Sequence, residues 1–198
     1  MATTFEAYAP PHLAVLVTVA AVAIALLVHG GRSPGPWDDA RRRRVLAYAL
    51  IATGAVSWSY DATHGLYGLP LQLCDVALVL VIWALLAPQW RTVGQLAYFW
   101  GLAASSQAML TPDLESAFPS FHWFVFFISH TGVVLGAVYL LAGGHLQLTL
   151  LTPLRVALWT AVYAAVAMGA NALMDTNFGY LAEKPDRASL LDYMGPWP

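Results

Sequence analysis

From residue 12 to residue 29 the chain is almost purely Val, Ala, Leu and Ile. That is close to the roughly 20 apolar residues a helix needs to cross the hydrocarbon core of a bilayer. Five more such stretches follow, at about residues 44–64, 69–87, 93–110, 121–142 and 154–174. Pro70, Pro88, Pro112, Pro119 and Pro153 lie at the breaks, where a missing N–H does least harm. Lipid leaves no water to satisfy backbone groups, and apolar runs of this length satisfy them internally as helices. The pattern predicts an all-α, polytopic membrane bundle of six transmembrane helices, one domain over residues 1–198 with 177–198 as an outer C-terminal segment. Composition agrees. Charged residues are 10% of the 198 and hydrophobic residues 59%, against about 25% charged for a soluble domain. A net charge of −2 excludes an extended nucleic-acid surface, and a single cysteine excludes a disulfide framework or a Cys-rich zinc site.

The first stretch has no basic residue before it and a basic cluster after it, the reverse of a secretory signal. With the N-terminus outside, the inner loops hold Arg32, Arg41, Arg42, Arg43, Arg44, Arg91 and Arg155, and the outer segments only Lys184 and Arg187. That asymmetry follows the positive-inside rule and predicts a multi-pass protein of the cell membrane. The Arg41–Arg44 run reads as a topology signal that also meets anionic head groups, ahead of any DNA contact. Trp and Tyr near the span ends read as interface anchors, and Gly101 with Ser105, and Ala165 with Gly169, as small-residue packing faces. His12, His29 and His145 fall at interfaces and read as ordinary solvated side chains.

Of the formal charges, only Asp61 and Asp75 fall inside the predicted spans rather than at their ends. Ionisable groups at that depth are costly and mark function by default. Placing the other polar residues by depth gives Ser57, Ser59, Asp61 and His64 late in the second span, and Gln72, Cys74 and Asp75 early in the third. Ser105, Ser106 and Gln107 come late in the fourth, Ser129 and His130 in the fifth, and Asn171, Asp175 and Asn177 at the end of the sixth. Five helices thus put their polar groups in the outer half, which predicts a polar cavity there. The competing account is that polar residues gather at helix ends because they meet the interface, and that Ser and Thr bond back to their own helix.

Within that layer the strongest pair is Cys74 with His130. A thiol becomes nucleophilic when a base favours the thiolate, and histidine serves near neutral pH. At 1.5 Å per residue both lie about 7–10 Å below the outer surface, and Asp75 could orient the imidazole. A lone buried Cys is more often a small hydrophobe. The competing chemistry is a zinc site from His64, His122 and His130 with Asp61 or Asp75, although His122 and His130 are eight apart rather than four. A transporter or lipid-binding protein without catalysis is the non-enzyme alternative.

Leu71-Gln72-Leu73-Cys74-Asp75, Ala97-Tyr98-Phe99-Trp100-Gly101-Leu102 with Gln107, and Leu110-Thr111-Pro112-Asp113-Leu114 resemble the YwaF-type integral membrane proteins. So do Phe118-Pro119-Ser120-Phe121 with Ser129-His130, Thr176-Asn177-Phe178-Gly179-Tyr180-Leu181 with Lys184-Pro185, and Ser189-Leu190-Leu191-Asp192 with Gly195-Pro196-Trp197-Pro198. That family is similar to transmembrane protein 164, an acyltransferase that remodels ether phospholipids through a cysteine acyl-enzyme. More distantly it resembles the androgen-induced hydrolases of fatty esters. The resemblance implies Cys74 as nucleophile and His130 as base in a membrane acyltransferase or lipid esterase, with Asp75 or Asp61 orienting the base. It implies membrane lipids and an acyl-lipid substrate as partners and no cofactor. Gln72, Ser129 and Asn171 are the expected oxyanion donors, and Asp61, His64, Gln107 and Asn177 complete the expected substrate-binding set. Gln72 stands where the family often has histidine. Relatives commonly continue past the Gly-Pro-Trp-Pro block into another membrane helix, whereas this sequence stops at Pro198, so the resemblance implies that the family's seventh span is missing from it.

Overall fold

The computed structural model describes residues 4–30, 36–63 and 69–196, without the side chains of Pro36, Trp37 and Asp61. Its helices are α1 (Pro10–His29), α2 (Pro36–Thr63), α3 (Leu73–Leu86), α4 (Arg91–Trp100), α5 (Ser106–Leu110), α6 (Phe121–Ala142) and α7 (Thr152–Met174). A π-helical turn, Gly101–Ser105, joins α4 to α5, and Trp100, Ser105 and Ser106 all keep right-handed helical dihedrals. These three pieces therefore form one rod, and the six rods fall on the six apolar stretches. Two short 3-10 turns, Phe178–Tyr180 and Leu190–Met194, follow α7. No strand occurs among the described residues.

Local sequence accounts for the starts and stops. Prolines occupy the first turns of α1 and α7, where the N–H would be orphaned anyway. Ser120 caps α6, its Oγ accepting from the backbone N–H of Trp123 at 3.2 Å. Gln72 is extended, so α3 begins at Leu73 rather than near Leu69. The second rod starts earlier than its apolar stretch and carries the arginine run as helix. Helices α1, α6 and α7 are long and apolar enough to span a membrane, and α3 is apolar but shorter. Large apolar side chains such as Val17, Ile24, Leu154 and Leu158 face outward, as lipid-facing residues do. The protein is membrane-embedded.

Side-chain ties close both ends of the bundle. At the arginine-rich end, Asp39 accepts from Arg43 Nε (2.9 Å), Tyr139 Oη (2.8 Å) and His145 Nε2 (3.1 Å), while Arg43 Nη1 donates to the Leu85 carbonyl (2.7 Å). Burial pushes the Asp39 carboxyl up, but the bonds from Arg43, Tyr139 and His145 outweigh it and hold the carboxyl below its ordinary value. His145 is thus a tie to α2 rather than a freely solvated side chain. Nearby, Arg155 donates to Gln95 Oε1 (3.0 Å), and Gln95 Nε2 donates to the Gln147 carbonyl (2.6 Å). At the other end His12 is buried, not solvated as expected, because Phe5 and Tyr8 fold back over it. Its Nδ1 accepts from the Tyr8 N–H (2.9 Å) and its Nε2–H donates to the Met109 carbonyl (2.7 Å), pinning α1 to α5.

The centre is held by close packing. α3 packs on α4, α2 on α3 and α6, and α1 on α6. A Cβ on Gly101 would stand 3.2 Å from Val133 Cγ1 and 3.6 Å from Val81 Cγ2. One on Gly136 would stand 2.6 Å from Val81 Cγ1, so α3, α6 and the π turn approach as closely as their backbones allow. Gly169 differs from the expected packing face: a Cβ there meets no atom within 4 Å among the described residues. Gly136→Val should therefore cost about 1–3 kcal/mol through overpacking, whereas Gly169→Ala should be neutral or gain up to about 1 kcal/mol from helix propensity. Detergent unfolding titrations of the two variants check the contrast.

Candidate functional site

Four rods converge on one polar recess just beyond that close contact. Ser57 and Trp58 come from α2, Cys74, Asp75 and Leu78 from α3, Ser105 from the π turn, and Ser129, His130 and Val133 from α6. Each helix offers residues within one turn of one another, which is why one face of each can line the same space. The recess holds about 290 Å³ of unfilled space counted to its open side. Its enclosed part has room for one water-sized group and is far too small for an acyl chain. Cys74, Asp75, Ser129 and His130, all expected at a site from the sequence, are brought together here.

The hydrogen bonds decide what each can do. His130 Nδ1 lies 2.7 Å from the carbonyl oxygen of Phe126 on its own helix. A carbonyl only accepts, so Nδ1 carries the proton and Nε2 of the neutral ring is left as an acceptor. The ring also packs on Phe126, with centroids 4.2 Å apart. The imidazole is thus oriented by a backbone carbonyl, the part expected of Asp75 or Asp61. Asp75 instead accepts from the indole of Trp58 at 3.4 Å. Ser129 Oγ donates to the carbonyls of Val125 (2.7 Å) and Phe126 (3.1 Å), so its one proton is already engaged. Cys74 sits half-buried in the first turn of α3.

The remaining expected residues lie elsewhere. Gln72 Oε1 accepts from the Gly179 N–H (2.8 Å), and its Nε2 donates to the Asn177 carbonyl (3.4 Å). Asn171 Oδ1 accepts from the Phe178 N–H (2.7 Å) and Thr176 Oγ1 (3.1 Å), while its Nδ2 donates to the Phe178 carbonyl (3.1 Å). Asn177 folds its own loop, accepting from the N–H groups of Ala182 and Glu183, each at 3.1 Å. Together with Tyr163 Oη, which donates to the Leu71 carbonyl (2.9 Å), these residues strap the C-terminal segment across the start of α3. Gly179 has φ 66°, and a Cβ there would lie 2.7 Å from Tyr163 Oη, so the strap needs glycine. Gln107 Nε2 donates to Thr111 Oγ1 (2.7 Å) at the end of α5 and does not line the recess. The Asp61 side chain and His64 lie outside the described residues.

Among the described residues no three His, Cys, Asp or Glu side chains come close enough to hold a metal ion. His122 lies against the ring of Tyr60, with centroids 6.0 Å apart. Five residues of the recess were not among the expected site residues: Ser57, Trp58, Leu78, Val133, and Ser105, which falls in the polar layer and also in a small-residue packing pair. The only sequence hint for Ser105 is its depth, which matches that of Cys74 and His130.

The TMEM164 family model matches residues 7–198, nearly the whole chain. No curated protein and no solved structure matches it.

Phe178 is buried, so Asn171→Ala leaves its N–H without a partner at a cost of about 1–3 kcal/mol. The strap should open more often by at least about fivefold. Limited trypsin digestion in detergent checks this: cleavage after Arg187 should speed up in Asn171→Ala, and an unchanged rate would contradict the strap.

Proposed function

This chain belongs to the TMEM164 family, and on that premise we propose that it is a membrane acyltransferase or lipid esterase working through Cys74 and His130. One observation carries the reading. The lone cysteine shares a recess with a histidine whose tautomer leaves Nε2 as a proton acceptor. In this reading all six rods cross a bacterial plasma membrane with the N-terminus outside, and the recess lies in the outer half. An acyl lipid ester enters laterally, its carbonyl in the recess and its chains among the exposed apolar faces of the bundle.

The chemistry balances as follows. His130 Nε2 takes the Cys74 proton, and the sulfur attacks the ester carbonyl. The tetrahedral intermediate collapses to a thioester, breaking the bond to the lysolipid oxygen, which receives the proton from His130. A lysolipid hydroxyl or water then gives its proton to Nε2 and attacks the thioester, and Cys74 regains its proton as it leaves. Asp75, in the same recess, offsets the positive charge of the transient imidazolium. No cofactor enters these steps.

In proteoliposomes with a labelled phospholipid and a lysolipid acceptor, Cys74→Ala should abolish acyl transfer. His130→Ala should slow it by about 10²–10⁴, the usual contribution of a general base. Undiminished turnover in Cys74→Ala would overturn the proposal.

A further inference from the structure

Attack on an ester creates a negative oxygen, and in a dry site that charge needs an aimed donor. The donors expected from the sequence are committed elsewhere. Ser129 bonds back to Val125 and Phe126, Gln72 to Asn177 and Gly179, and Asn171 to Phe178. Hydroxyls within helices usually bond back to the carbonyl four residues earlier, and here Thr18, Thr53, Ser106, Ser129 and Thr160 all do so.

Ser105 does not. Its hydroxyl is wholly buried, lines the recess that holds Cys74 and His130, and has no hydrogen-bond partner among the described residues. Ser105 is the last residue of the π turn, where backbone bonding runs from i to i+5. Leaving a buried hydroxyl unpaired costs stability, so a chain that keeps one beside a thiol and an imidazole holds a donor in reserve for something that enters.

We propose that the Ser105 hydroxyl donates a hydrogen bond to the acyl carbonyl oxygen of the substrate, strengthening as that oxygen becomes negative. Ser105 is thus a catalytic residue whose proton stays on Oγ throughout. The assignment rests on Cys74 being the nucleophile. It fixes the substrate class at the reacting atoms: an oxygen-carbonyl ester, with the carbonyl seated against the π turn.

The test is single-turnover acylation of Cys74 in the full chain in detergent, using a p-nitrophenyl fatty ester, which leaves a thioester, and its thionoester, which leaves a dithioester. Sulfur accepts hydrogen bonds weakly. Ser105→Ala should slow acylation by the oxygen ester about 10²–10³-fold, the loss seen when one oxyanion donor is removed, and should slow the thionoester far less. Iodoacetamide should alkylate Cys74 at the wild-type rate, and the unfolding midpoint should hold or rise, because an unpaired hydroxyl has been removed. Acylation of Ser105→Ala at the wild-type rate, or equal slowing with both esters, would overturn the assignment while leaving Cys74 in place. Absence of any thioester in the wild-type protein would instead overturn the Cys74 reading on which it rests.

Discussion

The close approach of α3, α6 and the π turn at Gly101 and Gly136 sets the rest of this bundle. With Val81 and Val133 packed against bare backbone, the helices come near enough for residues one to two turns along to share a recess. Those residues are Cys74, Asp75, Ser105, Ser129 and His130. Larger side chains at the two glycines would spread the rods and separate these groups. The contact is apolar, yet it determines which polar atoms can meet.

Above that contact, hydrogen bonding sorts the polar groups into those that are committed and those that are available. The Phe126 carbonyl fixes the proton on His130 Nδ1 and leaves Nε2 open to accept. Ser129 gives its proton to its own helix. Gln72, Asn171 and Asn177 hold the C-terminal strap in place. Structural and chemical roles are thereby divided among residues that look alike in a polarity profile.

Much of the framework was legible in the sequence. Apolar runs bounded by proline place six rods, because hydrocarbon solvent leaves the backbone few alternatives. Depth along each run placed Cys74, Asp75, Ser129 and His130 in one layer, and they share one recess. What depth cannot give is rotation and partner. Gln72 and Asn171 lie near the right level but turn toward the loop after α7, whose backbone N–H groups need acceptors. His12 looks interfacial until Phe5 and Tyr8 fold over it. The π turn leaves no mark in hydropathy at all, so the sequence places Ser105 in the polar layer without showing that its hydroxyl lacks a partner.

The central claim is a covalent one, that Cys74 carries the acyl group between donor and acceptor. Intact-protein mass spectrometry after rapid acid quench of the reconstituted protein with a diacyl phospholipid tests it directly. The account predicts a mass increase of one acyl chain that hydroxylamine removes, that maps to the peptide bearing Cys74, and that is lost in Cys74→Ala. An acyl adduct on any other residue, or turnover of the lipid with no adduct at any quench time, would contradict it.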